Sequence, residues 1–481
     1  MIFSAIISII PELGKEEAHE YRYARPLTSR SDRRRAGRPR GCGPSSRAWR
    51  EGEALRGGER IAENIRDWRH VRLFSPWRYC TDEAATQLLA AHGWQAPAPD
   101  LLPTGGDLID HYLGPLAALP QMASVIETGA RVTAIGRQGI DKVVSKGRDG
   151  RPFALTVKSA QGSRRDLARA VIDASGTWST QNPMGAGGLA ADGEVRFRDR
   201  IAYGIPDVLK RDRAVYAGRT VLVMGAGHSA ANALLDLARL AKAEKSTTIS
   251  WATRGTDLAR IYGGGPADQL PARGELGADV KALVDRGQVT LITGFSADAV
   301  REGNAGLVVD GEGAGGRASI GPVDRIIVAT GQRPDLELTR EVRLELDPWL
   351  ESTRALGPLI DPNVHSCGSV PPHGHRELAH PEPGFYTVGI KSYGRAPTFL
   401  LLTGYEQVRS VAAALAGDLA AADDVRLVLP ETGVCSAISP AMEQAAGCCG
   451  GPAPLEAVAC CDADAKAKAE NQVGCGCRAA A

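Results

Sequence analysis

At 481 residues, with 43% hydrophobic and 23% charged side chains, the chain is long enough for two or three domains of roughly 150 residues or more and too apolar to be disordered throughout. Its 57 Lys and Arg nearly balance 56 Asp and Glu, for a formal net charge of +1. The apolar start, Met1 to Pro11, is too short to span a bilayer and lacks a basic beginning and a small-residue cleavage site, so a soluble cytoplasmic protein with no membrane partner is expected.

Residues 22–60 come next and are anomalous, with twelve Arg, no Lys and four acidic residues. Without them the chain carries 45 basic and 52 acidic side chains, net −7, which argues against a nucleic-acid partner for the body of the protein. Three readings of the segment stand side by side: a transit peptide, a nucleic-acid arm, or translation in the wrong frame. The third can be checked by codon degeneracy. Asp32-Arg33-Arg34-Arg35 can be encoded GAT CGG CGC CGG, which read one base later begins ATC GGC GCC GG, or Ile-Gly-Ala-Gly. The same shift from Leu27 to Pro44 permits LPVVVIGAGPAGLAAAAH, a β-strand, a GxGxxG turn and an apolar helix, and it permits Glu at Gly57. The normal frame resumes near Gly58.

Further along, AVIDASGTWS (Ala170 to Ser179) and RIIVATGQRP (Arg325 to Pro334) each run an apolar strand into a turn of small residues and Gly, at Gly176 and Gly331. Between them lies VLVMGAGHSAANALL, Val221 to Leu235. Four apolar residues predict a buried parallel strand; Gly225 permits a tight turn, Gly227 lets the backbone approach a pyrophosphate, and Ser229 and Ala230 open a helix whose Ala230 packs on the sheet. The helix N-terminus offers amide groups and a positive dipole end to phosphates. The next strand, TTISWATRG, ends in Arg254 with no acidic residue at its tip, which favours the 2′-phosphate of NADPH over the free ribose of NADH; an ordinary exposed arginine is the competing reading. TFLLLTGYEQVRSVAAAL predicts a helix from Thr398. The histidines of PPHGHRELAHPEPG, His373, His375 and His380, are expected in a solvent-exposed loop.

Seven of ten cysteines crowd the last tenth of the chain. This tail has Gly, Pro, Ala and charges but too few large apolar residues for a core, and is expected to be a flexible appendage. Adjacent cysteines strain badly as mutual disulfides. Cys448, Cys449, Cys460, Cys461, Cys475 and Cys477 can instead converge thiolates on a soft ion: As(III), with Zn or Cu(I) behind it. The absence of CxxC spacing and of paired His counts against a structural zinc site.

The two small-residue turns around a nucleotide motif resemble flavoproteins with two dinucleotide domains, the superfamily of flavin-containing monooxygenases and pyridine-nucleotide reductases. With NIRDWRHVRLFSPWRY (Asn64 to Tyr79), GAGHSAAN, GFYTVGIKSYGRAPTFLLLTGYEQVRS (Gly384 to Ser410) and the cysteine tail, the chain from about residue 58 is similar to the flavin-dependent monooxygenases encoded in bacterial arsenic-resistance operons. The resemblance implies an α/β fold of two Rossmann-like domains plus a disordered Cys-rich tail: 1–57 aberrant, 58–204 FAD-binding, 205–320 NADPH-binding, 321–430 FAD-binding again, 431–481 the tail. It implies FAD, NADPH and a small-molecule substrate. It places Trp68 and Ser75 along the flavin edge, gives Gly176 and Gly331 close backbone approach, and sets Tyr393 and Thr398 before a helix N-terminus facing the flavin. One departure matters: the FxGxxxHxxxY fingerprint of typical flavin-containing monooxygenases is replaced by RFRDRIAYGIPDVLKRDRAVYAGR. An oxidoreductase and monooxygenase is the leading expectation; a metalloid reductase fed by tail thiols and a metalloid-binding protein without turnover are the alternatives.

Overall fold

A computed structural model describes residues 46–47, 54–55, 57–263, 265–363, 370–397, 399–427 and 429–430. The readings made of the arginine-rich segment before Ser46, of Thr398 and of the tail cysteines lie outside these residues. In the amino-terminal half, β1 (Ser46–Arg47) pairs parallel with the edge of an antiparallel meander formed by β4 (Arg131–Arg137), β5 (Phe153–Ser159) and β6 (Gly162–Ala168). Two short parallel pairs accompany it: β2 (Ala54–Leu55) with β3 (Ile126–Glu127), and β7 (Val171–Asp173) with the late strand β16 (Phe385–Thr387).

Between β7 and β16 the chain builds a second unit. Its five-stranded parallel sheet has the order β11-β10-β9-β15-β8, from β8 (Ile201–Tyr203), β9 (Thr220–Met224), β10 (Thr248–Ala252), β11 (Thr290–Ile292) and β15 (Arg325–Val328). A sheet covered on both faces requires apolar runs without alternation, and Val221, Leu222, Val223 and Met224 are all buried. The helix His228–Ala243 lays Ala230, Ala231, Leu234 and Leu237 on one face with Trp251. On the other face lies an antiparallel meander of β12 (Ser296–Gly303), β13 (Gly306–Gly313) and β14 (Gly316–Val323), whose Leu307, Val309 and Val323 meet Leu222 and Val328. The α/β class with parallel sheets is as expected. The sheet takes in β8 and β15, so the unit reaches beyond residues 205–320 at both ends, because the strand of RIIVATG pairs with Val221 to Met224.

The histidine loop corrects the expectation of exposure: His373 and His380 are buried, and half-buried His375 meets Asp423 at 2.8 Å. The reason lies in the packing partners. His380 Nδ1 accepts from the Glu345 amide and its Nε2 meets Thr387 Oγ1, while Tyr393 and Gln407 surround His373. Nearby Glu382 is buried between Arg137 and Arg148, at 2.7 Å from each. Burial opposes its ionised form, but the two guanidiniums outweigh it and hold the carboxyl below its usual range. The expected helix after Tyr393 is present as Leu401–Ala416, closed by Gly417 in the left-handed region at φ 87°.

Burial lowers the His380 imidazole from its ordinary 6.5 to about 4. The unfolded chain therefore takes up a proton there first, and stability falls as pH drops through 6.5 toward 4. His380→Gln is expected to flatten this dependence: between about pH 7 and about pH 5, the urea midpoint of the variant falls less than that of the parent. Equal falls would remove His380 as a source of acid sensitivity.

Candidate dinucleotide site

The carboxyl end of β9 supplies the turn. Gly225 has φ 129°, and a Cβ there would lie 2.2 Å from the Ala329 carbonyl oxygen, so both conformation and space require glycine. Trp251 Nε1 donates to the Gly225 carbonyl at 2.7 Å from the neighbouring strand and holds the turn from beneath, a role no sequence pattern indicated. Gly227 differs from Gly225: its φ is −112°, and a Cβ would meet nothing within 4 Å. It faces open space at the start of a helix that has no side-chain N-cap. Ser229 and Ala230 follow and are buried, Ala230 fully, which brings the helix close to the sheet. Arg254 is exposed two residues beyond β10, the neighbouring strand. The turn and helix start could hold phosphates, and the exposed guanidinium at the adjacent strand tip could meet a 2′-phosphate.

Around this turn, the His228 ring packs 5.0 Å from Phe74, and the Arg273 guanidinium lies 5.7 Å from the same Phe ring. Arg273 is itself buried in a pair with Asp268 at 2.6 Å. Burial, with Arg273 adding to it, pushes His228 down to about 4, so the imidazole is neutral at neutral pH. Phe74 belongs to the FSPWRY stretch, so that stretch reaches the nucleotide turn.

The two crossings lie against each other. The Asn182 amide donates to the Gly331 carbonyl at 3.0 Å, its Nδ2 to the Thr330 carbonyl at 3.1 Å, and Thr330 Oγ1 to the Asn182 carbonyl at 2.9 Å. Arg333 Nε closes the set on Asn182 Oδ1 at 2.8 Å. Gly176 (φ 72°) and Gly331 (φ 88°) are both in the left-handed region, which glycine adopts without strain. Two residues after Gly176, the Trp178 ring lies 6.4 Å from Trp68 and its Nε1 donates to Asp67 at 2.8 Å. Trp68 is buried over Gly105, where a Cβ would lie 2.6 Å from its ring. Ser75 is buried, and its carbonyl accepts from the Cys80 thiol at 3.4 Å. Burial pushes that thiol up to about 12, which makes it inert.

Tyr393 lies in a core with Ile172 and Val388, edge-on to Phe399 at 4.9 Å. Sequence reasoning also passed over Lys391, whose Nζ lies 2.7 Å from Asp173 and donates to Ser175 at 2.9 Å, all at the carboxyl end of β7. Burial disfavours the Asp173 carboxylate, but the Lys391 ammonium and the Ser175 donors overcome this and keep it ionised. The lysine is signalled in sequence by a cation inside an otherwise apolar and glycine-rich stretch, TVGIKSYG. Among the described residues no cluster of His, Cys, Asp and Glu could hold a metal ion, and no helix is long and apolar enough to cross a membrane.

Solved structures share this fold. A bacillithiol disulfide reductase from Staphylococcus aureus superposes with a TM-score of 0.52 at 14% identity, covering 76% of this chain and 90% of that one. The reductase from Bacillus cereus does so with a TM-score of 0.51 at 15% identity and the same coverage. The cadaverine monooxygenase of desferrioxamine biosynthesis from Erwinia amylovora, solved with FAD bound, gives 0.50 at 12% identity, covering 76% of this chain and 88% of that one. The chain has their fold. No family model matches the sequence, and no curated protein matches it.

On the other side of the crossings the described residues form two separate two-stranded parallel sheets, β2 with β3 and β7 with β16. The glycine turn there that could approach a second nucleotide is the one at Gly176, just past β7.

The two glycines of the β9 turn separate folding from binding. Gly225→Ala forces a Cβ against backbone and is expected to destabilise the fold by about 2 kcal/mol or more, read from urea unfolding. Gly227→Val leaves the urea midpoint unchanged and weakens NADPH binding at least about tenfold, because the side chain fills the cradle. Unaltered NADPH affinity in Gly227→Val would show that the cradle is not where the nucleotide lies.

Proposed function

We propose that the protein is an NADPH-dependent flavoprotein oxidoreductase, a monooxygenase concerned with resistance to arsenic or another metalloid. The observation that carries the reading is the open cradle at Gly227 beside an exposed Arg254, set next to hydrogen-bonded crossings at Gly176 and Gly331. NADPH is the hydride donor in this reading, and FAD supplies hydride acceptance and oxygen activation when bound. The chain's own residues act on the donor: the turn and the dipole of helix His228–Ala243 hold its phosphates, neutral His228 leaves the charge at the cradle to the backbone, and Arg254 selects the 2′-phosphate. The arsenic link rests on the operon-type resemblance and on the thiol tail, six of whose seven cysteines stand in pairs that can give a soft ion three thiolates. The substrate is a small molecule.

A reductase is the second reading, favoured by the disulfide reductases among the structural neighbours. Within the described residues the free cysteine is Cys80, buried and inert, so a reductase would depend on the tail. Replacing Cys448, Cys449, Cys460 and Cys461 by Ser is expected to remove As(III) binding and to leave NADPH-driven oxygen consumption by the FAD-loaded protein intact. Loss of NADPH oxidation in that variant, with no oxygen consumed by the parent, would transfer the assignment to a reductase.

Arg254→Ala is expected to weaken NADPH binding about tenfold or more while NADH binding stays within about twofold, measured by quenching of protein fluorescence. Equal affinities of the parent for the two nucleotides would refute the assigned preference.

A further inference from the structure

We infer that Phe74 is a positioning residue for the nucleotide turn: carried on a strap of the amino-terminal half, it holds His228 at the start of the phosphate helix and ties NADPH affinity to the seating of that strap. The inference rests on the NADPH reading above and adds to it a residue far outside the glycine motif.

The strap is the stretch from Arg69 to Trp77, and its own half fixes its backbone. Gly106 donates to the Arg69 carbonyl at 2.8 Å, Gly105 to the Val71 carbonyl at 3.0 Å, Leu73 to the Pro103 carbonyl at 2.8 Å, and Trp77 to the Leu101 carbonyl at 3.0 Å. Arg72 forms an antiparallel bridge with Thr104, so the chain is extended there. Successive side chains of an extended segment point to opposite faces. Leu73 takes the inner face, in a buried cluster with Trp68, Trp77 and Leu108. Phe74 takes the outer face and meets the nucleotide unit, its ring 5.0 Å from the His228 ring and 5.7 Å from the Arg273 guanidinium.

A length comparison shows how the strap lies on the helix His228–Ala243. Four residues before Phe74, the His70 imidazole is held below its ordinary range by burial, against the pull of the Asp207 and Asp236 carboxylates. Asp236 is on the helix, eight residues after His228. An extended chain advances about 13 Å from His70 to Phe74 at roughly 3.3 Å per residue. A helix covers about 12 Å between Asp236 and His228 at roughly 1.5 Å per residue. The strap therefore runs antiparallel to the helix and brings Phe74 to its first residue.

That first residue needs an outside hold. The helix has no side-chain N-cap, so no hydroxyl or carboxylate fixes its opening turn. The His228 imidazole has no hydrogen-bond partner among the described residues, and ring packing confines it instead. Arg273 is rigid: its Nε and Nη2 bind Asp268 at 2.7 and 2.6 Å, and Asp268 also accepts the Leu270 amide at 2.8 Å. Phe74 belongs to the other half and is in place only while the strap is seated. Because binding free energies couple reciprocally, a nucleotide favoured by the seated strap must in turn steady the strap.

The test uses the full-length protein, with NADPH and NADH affinities from fluorescence quenching and amide hydrogen exchange over residues 69–77 with and without NADPH. Phe74→Ala is expected to weaken NADPH at least about fivefold, with the ratio of NADPH to NADH affinity kept within about twofold because Arg254 is untouched. Phe74→Tyr, which keeps the ring, is expected to stay within about twofold of the parent. In the parent NADPH slows exchange in the strap, and in Phe74→Ala it does not. Unaltered NADPH affinity in Phe74→Ala, or equal NADPH-dependent protection of the strap in parent and variant, overturns the inference and leaves the nucleotide site standing. A parent that binds no NADPH overturns the inference and the NADPH reading together. Should Phe74→Ala fail to fold, Phe74→Leu, which keeps apolar bulk without the ring face, is judged by the same two measurements.

Discussion

The contact of Gly225 with the Ala329 carbonyl is the constraint on which the nucleotide half depends. A Cβ at 2.2 Å from that oxygen cannot be accommodated, so the phosphate turn after β9 and the exit from β15 approach as closely as two backbones can. The approach brings Gly331, two residues further on, to Asn182, and Asn182 to Arg333 through their hydrogen bonds. One glycine thus aligns the turn after β9 with the paired crossings at Asn182 and Gly331. Trp251 reinforces the arrangement by binding the Gly225 carbonyl from the neighbouring strand.

The polar groups buried in the other half perform a different task. Asp173 and Lys391 join the end of β7 to the turn after β16, and Glu382 joins Arg137 and Arg148 across the meander and the β16 loop. Such pairs add little net stability over apolar packing, yet removing one partner leaves an uncompensated charge in a poor dielectric. They fix one register between segments more than two hundred residues apart in sequence, where apolar contacts alone would tolerate sliding.

The unit around β9 meets the demands of a parallel sheet within one short stretch of chain. β9 is a strand buried on both faces, followed by two glycines in different surroundings and a small-residue helix.

Sequence alone determined whatever depends on neighbours along the chain: the strand at Val221 to Met224, the distinct roles of Gly225 and Gly227, the small-residue turns at Gly176 and Gly331, the arginine at the tip after β10, and the helix before Gly417. These are readable because period, φ and turn chemistry are local. Tertiary structure decided what depends on distant partners. It placed β8 and β15 in the nucleotide sheet, buried His373 and His380 in a loop whose composition suggested exposure, and seated Trp68 against Trp178 and Tyr393 against Phe399. It also paired Lys391 with Asp173. Burial and strand order arise from which segments meet across the fold, and a local pattern of residues carries no record of that choice.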